Sequence, residues 1–190
     1  MSEERQTMNM FQRSKCPMAN SLLLSPPDSD LSTDREVSSI PRDDKTNWVY
    51  PSENMFWRAL ERKNKTYGAT KEDMRSVINV HNSVNEETWR KIIRWEQTHF
   101  SQTEQPILHQ FYGKYSHKSF KARWLRWTCR IREYPFDRHD WYIKRKDGTI
   151  IRYVIDYHAF RDKFFIDARP ASDSISMIVY KLWLWTKSWF

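Results

Sequence analysis

Two cysteines, Cys16 and Cys129, are all that this chain of 190 residues contains. They are too few for a disulfide framework or a zinc site of their own, so each reads as a free thiol. Long hydrophobic runs are also missing, and none approaches the ~20 residues that a membrane-spanning helix needs. The opening Met1-Ser2-Glu3-Glu4-Arg5 has no apolar signal core and carries acids that transit peptides avoid, so no cleavable address is expected. Glycine is scarce, with 3 residues, and no internal repeat is visible.

What the chain does have is aromatic and basic. Ten Trp, nine Tyr and ten Phe accompany 39% apolar residues, enough to build a core. The formal net charge of +8 implies anionic partners: nucleic acid, acidic lipid or a carboxylate-bearing ligand. The length fits one domain plus a tail.

Composition changes sharply near Trp48. Residues 1–47 hold one aromatic, Phe11, and six basic against eight acidic residues. That stretch is too polar to offset its ordering entropy and is expected to be a disordered leader. Residues 48–190 hold all ten Trp and carry the positive charge, and form the expected folded domain.

Within that domain, Tyr50-Pro51-Ser52-Glu53 reads as a helix entrance, followed by the short stripe Met55, Phe56, Ala59 and Leu60. Residues 71–80 predict a second helix ending near His81. Ser83-x-x-Glu86 has the form of a capping box, which predicts a new helix bearing Trp89, Ile92, Ile93, Glu96 and Phe100. A basic amphipathic helix is expected over 118–131, with Phe120, Trp124, Trp127 and Ile131 as its stripe. The period then turns strand-like: 141–146 and 149–157 flank Asp147-Gly148, a hairpin signal. A last helix is expected over 172–188, capped by Ser172 or Asp173. The fold class is α+β: several helices around a small antiparallel sheet.

Two histidines stand among polar groups. At a helix start, His81 would be held neutral by the positive helix end. Asn82, Asn85 or Glu86 would then fix its tautomer, as around a haem iron; a locally bonded helix-boundary histidine fits the same residues. His139 lies in Asp137-Arg138-His139-Asp140, which fits either a salt-bridged turn or a site where Arg138 or Arg145 pairs with a carboxylate ligand. Cys16-Pro17 fits a thiolate offered to haem or an ordinary linker cysteine. The Arg/Trp-laced helix fits a core helix, a lipid-binding helix or a single-strand clamp, though no nucleic-acid motif accompanies it. The terminal segment 175–190 fits a core-docked or an interfacial helix.

Several stretches together resemble the holocytochrome c synthase, or cytochrome c haem lyase, family. They are Trp48-Val49-Tyr50-Pro51-Ser52-Glu53, His81-Asn82 with Asn85-Glu86, Trp95-Glu96, Lys121-Ala122-Arg123, Pro135-Phe136-Asp137-Arg138-His139-Asp140-Trp141, Tyr153-Val154-Ile155-Asp156-Tyr157 and Arg169-Pro170-Ala171. The resemblance implies covalent attachment of haem b to the CxxCH motif of apocytochrome c through two thioethers. It makes His81 the axial iron ligand, and Asn82 and Glu86 its neighbours in haem handling. Trp48 and Tyr50 become a second haem-contacting segment, with Arg138, His139 and Arg145 a third. Cys16-Pro17 corresponds to the family's haem regulatory pair, here followed by Met18. The implied place is the mitochondrial intermembrane space, at the inner-membrane surface, with apocytochrome c and haem as partners and no nucleic acid. A haem carrier or sensor without catalysis is the alternative.

Overall fold

A computed structural model describes residues 30–64, 66, 68–100, 104–114, 119–128, 134–160, 163–173, 177–180 and 182. Cys16, Cys129 and the carboxy-terminal Trp183, Trp185 and Trp189 lie outside the described residues. The chain divides into two compact units, Met1–Lys91 with Ile107–Tyr112, and Ile92–Pro106 with Gly113–Phe190.

The first unit begins inside the expected leader. Strand β1 (Val37–Pro41) pairs antiparallel with β2 (Asn47–Val49), Val37 opposite Val49 and Pro41 opposite Asn47. Asp43 shapes the connection: its Oδ1 accepts from the Lys45 and Thr46 amides at 2.8 and 2.7 Å. Leu31 and Ile40 are buried. The expectation of disorder up to residue 47 is therefore corrected for residues 30–47. Alternate β1 side chains bury themselves, a pattern too short to stand out in a polar stretch.

Helix α1 (Glu53–Arg62) starts where the sequence predicts. The Ser52 hydroxyl accepts from the Met55 amide at 3.3 Å, Glu53 sits in the first turn, and Arg62 in the last. The helix ends as Asn64 enters the left-handed region at φ 51°.

Helix α2 (Met74–Phe100) runs unbroken where two helices were expected. Met74, Ile78, Asn82, Trp89, Ile92 and Glu96 are all buried and follow one helical period. Ser83 and Glu86 therefore form no capping box: the buried stripe carries the helix straight through them. Met74–Lys91 belong to the first unit and Ile92–Phe100 to the second. Strand β3 (Ile107–Gly113) belongs to the first unit up to Tyr112.

The second unit contains helix α3 (Phe120–Trp127) and the antiparallel meander β4 (Asp137–Lys144), β5 (Ile150–Phe160) and β6 (Lys163–Pro170). The expected hairpin is present. Asp147-Gly148 turns it, with Gly148 at φ 85° and the Arg145 amide donating to the Thr149 carbonyl at 2.9 Å. Opposed residues share a face, so Trp141, Ile143, Tyr153, Ile155, Tyr157, Ile166 and Ala168 make one buried face. Strand β6 was not foreseen.

Helix α3 is capped by Ser119, whose hydroxyl accepts from the Ala122 amide at 3.1 Å. Of the expected stripe, Trp124 and Trp127 do not lie on a buried face: they are 45% and 79% exposed, while Ala122 is 1% exposed. Of the expected last helix, 172–188, residues 177–180 and 182 are helical, while Ser172 and Asp173 are not.

Candidate functional site

In the first unit, β1, β2 and α2 gather most of the sequence-predicted site. His81 lies inside α2, not at a helix start, so the expected influence of a positive helix end, which acts at the terminal turn, does not apply. Polar and aromatic neighbours surround its ring instead. Nδ1 lies 3.2 Å from Asn82 Oδ1. Phe56 meets the ring at 5.3 Å between centroids and Tyr50 at 6.2 Å, both edge-on. The Asn85 amide nitrogen donates to the His81 carbonyl at 2.9 Å and lies 3.4 Å from Nδ1 and 3.3 Å from Nε2.

Glu86 does not face His81. Its Oε1 accepts from the Ser38 hydroxyl at 2.6 Å, the Tyr50 hydroxyl at 2.9 Å and the Ser39 amide at 3.1 Å. Its Oε2 accepts from the Ser39 hydroxyl. Burial pushes its pKa up, but the hydrogen bonds from Ser38, Ser39 and Tyr50 outweigh that and hold it below the ordinary value. Burial also raises the Tyr50 phenol, helped by the nearby Glu86 and Glu36 carboxylates. Glu86 therefore ties β1 and Tyr50 to α2 as a carboxylate. Of the three candidates for holding the His81 ring, Asn82 and Asn85 are in place and Glu86 is not.

Trp48 sits in β2. Its Nε1 donates to the Leu108 carbonyl at 3.0 Å, Phe111 meets its ring edge-on at 5.4 Å, and the Arg42 guanidinium lies over it at 5.3 Å.

In the second unit, Arg138, His139 and Arg145 are arranged around acids. Asp140 is fully buried and takes Lys114 at 2.9 Å, Arg152 at 2.7 Å and Arg138 at 3.2 Å. Burial alone would raise its pKa; Lys114, Arg152 and Arg138 hold it below the ordinary value. His139 stands in β4, not in a turn, with Nε2 3.2 Å from Asp137 Oδ2 and Tyr157 edge-on at 5.4 Å. Arg145 Nε donates to Glu96 Oε2 at 2.6 Å, and the Tyr153 hydroxyl donates to Glu96 Oε1 at 2.7 Å. The Arg145 guanidinium lies 4.4 Å over Phe100, and its Nη2 is buried without a hydrogen-bond partner.

The profile of the cytochrome c/c1 heme lyase family matches residues 8–185. The chain belongs to that family. It is similar to "Holocytochrome c-type synthase" of Homo sapiens, 43% identical over 171 residues, 82% of this chain and 63% of that protein. It is similar to "Holocytochrome-c synthase" of Saccharomyces cerevisiae, 34% identical over 174 residues, 77% of this chain and 64% of that protein. "Putative holocytochrome-c1 synthase" of Schizosaccharomyces pombe is 34% identical over 173 residues, 84% of this chain and 77% of that protein. The chain spans about three-fifths of the length of the human, bovine and chicken relatives, at 63%, 61% and 62%. No solved structure matches.

Family membership bears out the resemblance seen in the sequence. The residues that sequence reasoning missed are Ser38 and Ser39, which reach α2 from β1, Glu36, which reaches it from just before β1, and Phe56, which was read only as core. No local signal marks the first three, because their partners lie far along the chain.

Proposed function

We propose that this chain attaches haem b covalently to the CxxCH motif of an apocytochrome c, with His81 as the protein's axial ligand to the haem iron. The observation that carries this reading is the setting of His81. Asn82 Oδ1 faces Nδ1, which leaves Nε2 with its lone pair, and two aromatic edges frame the ring. Iron in haem needs such a neutral imidazole nitrogen. The synthase names of the relatives support the activity.

The chemistry follows from holding two partners in one geometry. The histidine of the substrate CxxCH takes the other face of the iron, which sets its two cysteine thiols beside the two haem vinyl groups. Each S–H then adds across one C=C: sulfur bonds one carbon and the proton ends on the other. Two thioethers form with no oxidant and no nucleophile from the protein. Orientation supplies the rate advantage.

Glu86 acts here by position, fixing β1 and Tyr50 against α2. Trp48 offers ring surface to the porphyrin. In the second unit taken by itself, the unused Nη2 of Arg145 suits a carboxylate oxygen, and Arg138 and His139 belong to β4, the strand just before it. Cys16-Pro17 is proposed as a haem regulatory pair. The place of action is the intermembrane-space face of the mitochondrial inner membrane. The net charge of +8 and the exposed Lys121, Arg123, Trp124, Arg126 and Trp127 of α3 support an anionic surface.

The test is co-expression with apocytochrome c, followed by a haem stain on a denaturing gel. A stained cytochrome band that requires this chain is expected. Bound haem with no covalent product would make the protein a carrier and overturn the synthase reading.

A further inference from the structure

Glu36 is exposed, stands beside β1, and has no part in the proposed chemistry. Its carboxylate Oε2 nonetheless lies 2.7 Å from the side-chain amide of Asn82, which is 5% exposed. A carboxylate can only accept. The Asn82 atom facing it must therefore be the nitrogen, and the amide oxygen is left facing His81. That oxygen, 3.2 Å from Nδ1, calls for a proton on Nδ1. A neutral imidazole has one proton, so Nε2 must carry the lone pair. The Asn85 amide nitrogen lies 3.4 Å from Nδ1 and 3.3 Å from Nε2 and donates to the His81 carbonyl at 2.9 Å, so it favours neither tautomer and the assignment stands on Asn82.

Glu36 is itself fixed independently of any ligand. Its carbonyl accepts from the Tyr50 amide at 2.8 Å. The neighbouring Arg35 donates from Nε to the Tyr50 carbonyl at 2.9 Å and from Nη2 to the Val49 carbonyl at 3.0 Å. Glu86, the other carboxylate nearby, is occupied by Ser38, Ser39 and Tyr50 and faces away from the Asn82 amide.

We infer that Glu36 is a positioning residue. Through Asn82 it holds His81 in the Nδ1–H form, which makes Nε2 the unprotonated nitrogen that would face the iron. The inference rests on the reading of His81 as the axial ligand, but its first readout needs no haem. In the haem-free full chain, with nitrogen-15 in histidine, NMR at a pH where the ring is neutral reports which nitrogen is protonated. Absence of the signal in His81→Ala assigns it. The wild type is expected to show Nδ1–H. Glu36→Ala is expected to shift the population toward Nε2–H and to weaken haem binding about 10–100-fold. Glu36→Gln keeps a carbonyl acceptor for Asn82 and should restore both. A wild-type Nε2–H ring, or a tautomer unmoved in Glu36→Ala, overturns the relay. A tautomer that moves while His81→Ala still binds haem normally leaves the relay standing and overturns the ligand assignment instead.

Discussion

Replacing Glu86 by Ala removes one carboxylate and strands the donors that converge on it. Those donors are the Ser38 hydroxyl, the Tyr50 hydroxyl, and the amide and hydroxyl of Ser39. Ser39 is exposed, so water replaces its partner at little cost. Ser38 and Tyr50 are 2% and 8% exposed, and water does not reach them as easily. They lie 3.3 Å apart, so Ser38 can donate to Tyr50, and the Tyr50 hydroxyl lies 3.5 Å from the Asn82 carbonyl, so both keep only long, neutral bonds. Hydrogen bonds to a charged acceptor contribute about 1.5–3 kcal/mol and neutral ones about 0.5–1.5 kcal/mol, so the expected loss is about 1–3 kcal/mol. Glu86→Gln keeps one oxygen acceptor and should lose about half as much. The assay is urea unfolding of the haem-free protein followed by tryptophan fluorescence, with unchanged m-values. The pH dependence is a second check. The folded-state pKa of Glu86 lies below its unfolded value, so its stabilisation is complete above the ordinary carboxylate range near ~4.3. It is lost as pH falls through the lower folded-state value. The stability gap between wild type and Glu86→Gln should hold from neutral pH to about pH 5 and close under stronger acid. A Glu86→Ala loss under ~0.5 kcal/mol, or a gap that widens on acidification, refutes the reasoning.

His81→Ala should lose most bound haem and nearly all covalent product; a wild-type haem content by pyridine haemochrome assay sinks the ligand assignment. His139→Ala should lower activity less than His81→Ala, because its Nε2 already faces Asp137; a low-spin haem spectrum lost in His139→Ala and kept in His81→Ala would exchange the two roles. Asp140→Ala strands Lys114, Arg138 and Arg152 around a buried site and should cost about 3–5 kcal/mol in chemical denaturation, whereas a loss under ~1 kcal/mol would show that the cluster is solvated. Deleting residues 1–47 removes β1 and the Ser38 and Ser39 donors, so it should unfold the first unit, while deleting 1–29 keeps every described contact; equal circular dichroism and activity from the two truncations would contradict this.

The sequence was most legible where local rules act alone. Ser52 before Glu53 caps a helix whatever surrounds it, and Asp147-Gly148 turns a hairpin because glycine accepts a positive φ. It misled where burial overrides the local pattern. Asn82 and Glu96 occupy core positions of α2, so a hydrophobic count finds a gap just where the helix continues. Ser83 and Glu86 then imitate a cap. In α3 the misreading ran the other way. Trp124 and Trp127 look like a buried stripe, yet the face that packs is marked by the small Ala122, while Lys121 bonds Asp167 at 2.8 Å.

The candidate site divides along the same line. That His81 and Asn82 matter could be read from one short stretch, because the two are adjacent and one holds the other. What Glu86 does could not, because all its partners lie in β1 and at Tyr50. The same six-residue stretch, His81 to Glu86, therefore contains two different kinds of function. Asn82 looks along the helix toward His81 and decides which nitrogen is bare. Glu86, one helical turn further on, looks out to β1 and decides whether the strand carrying Glu36 stays in place. Since Glu36 is what turns the Asn82 amide, loss of Glu86 should reach His81 through β1 even though the two side chains do not meet. A mutation at Glu86 that impaired haem binding would therefore be no proof of contact with haem. The tautomer of His81 in Glu86→Gln separates the cases: an altered tautomer places Glu86 behind the strand, and an unaltered one with lost haem places it at the ligand.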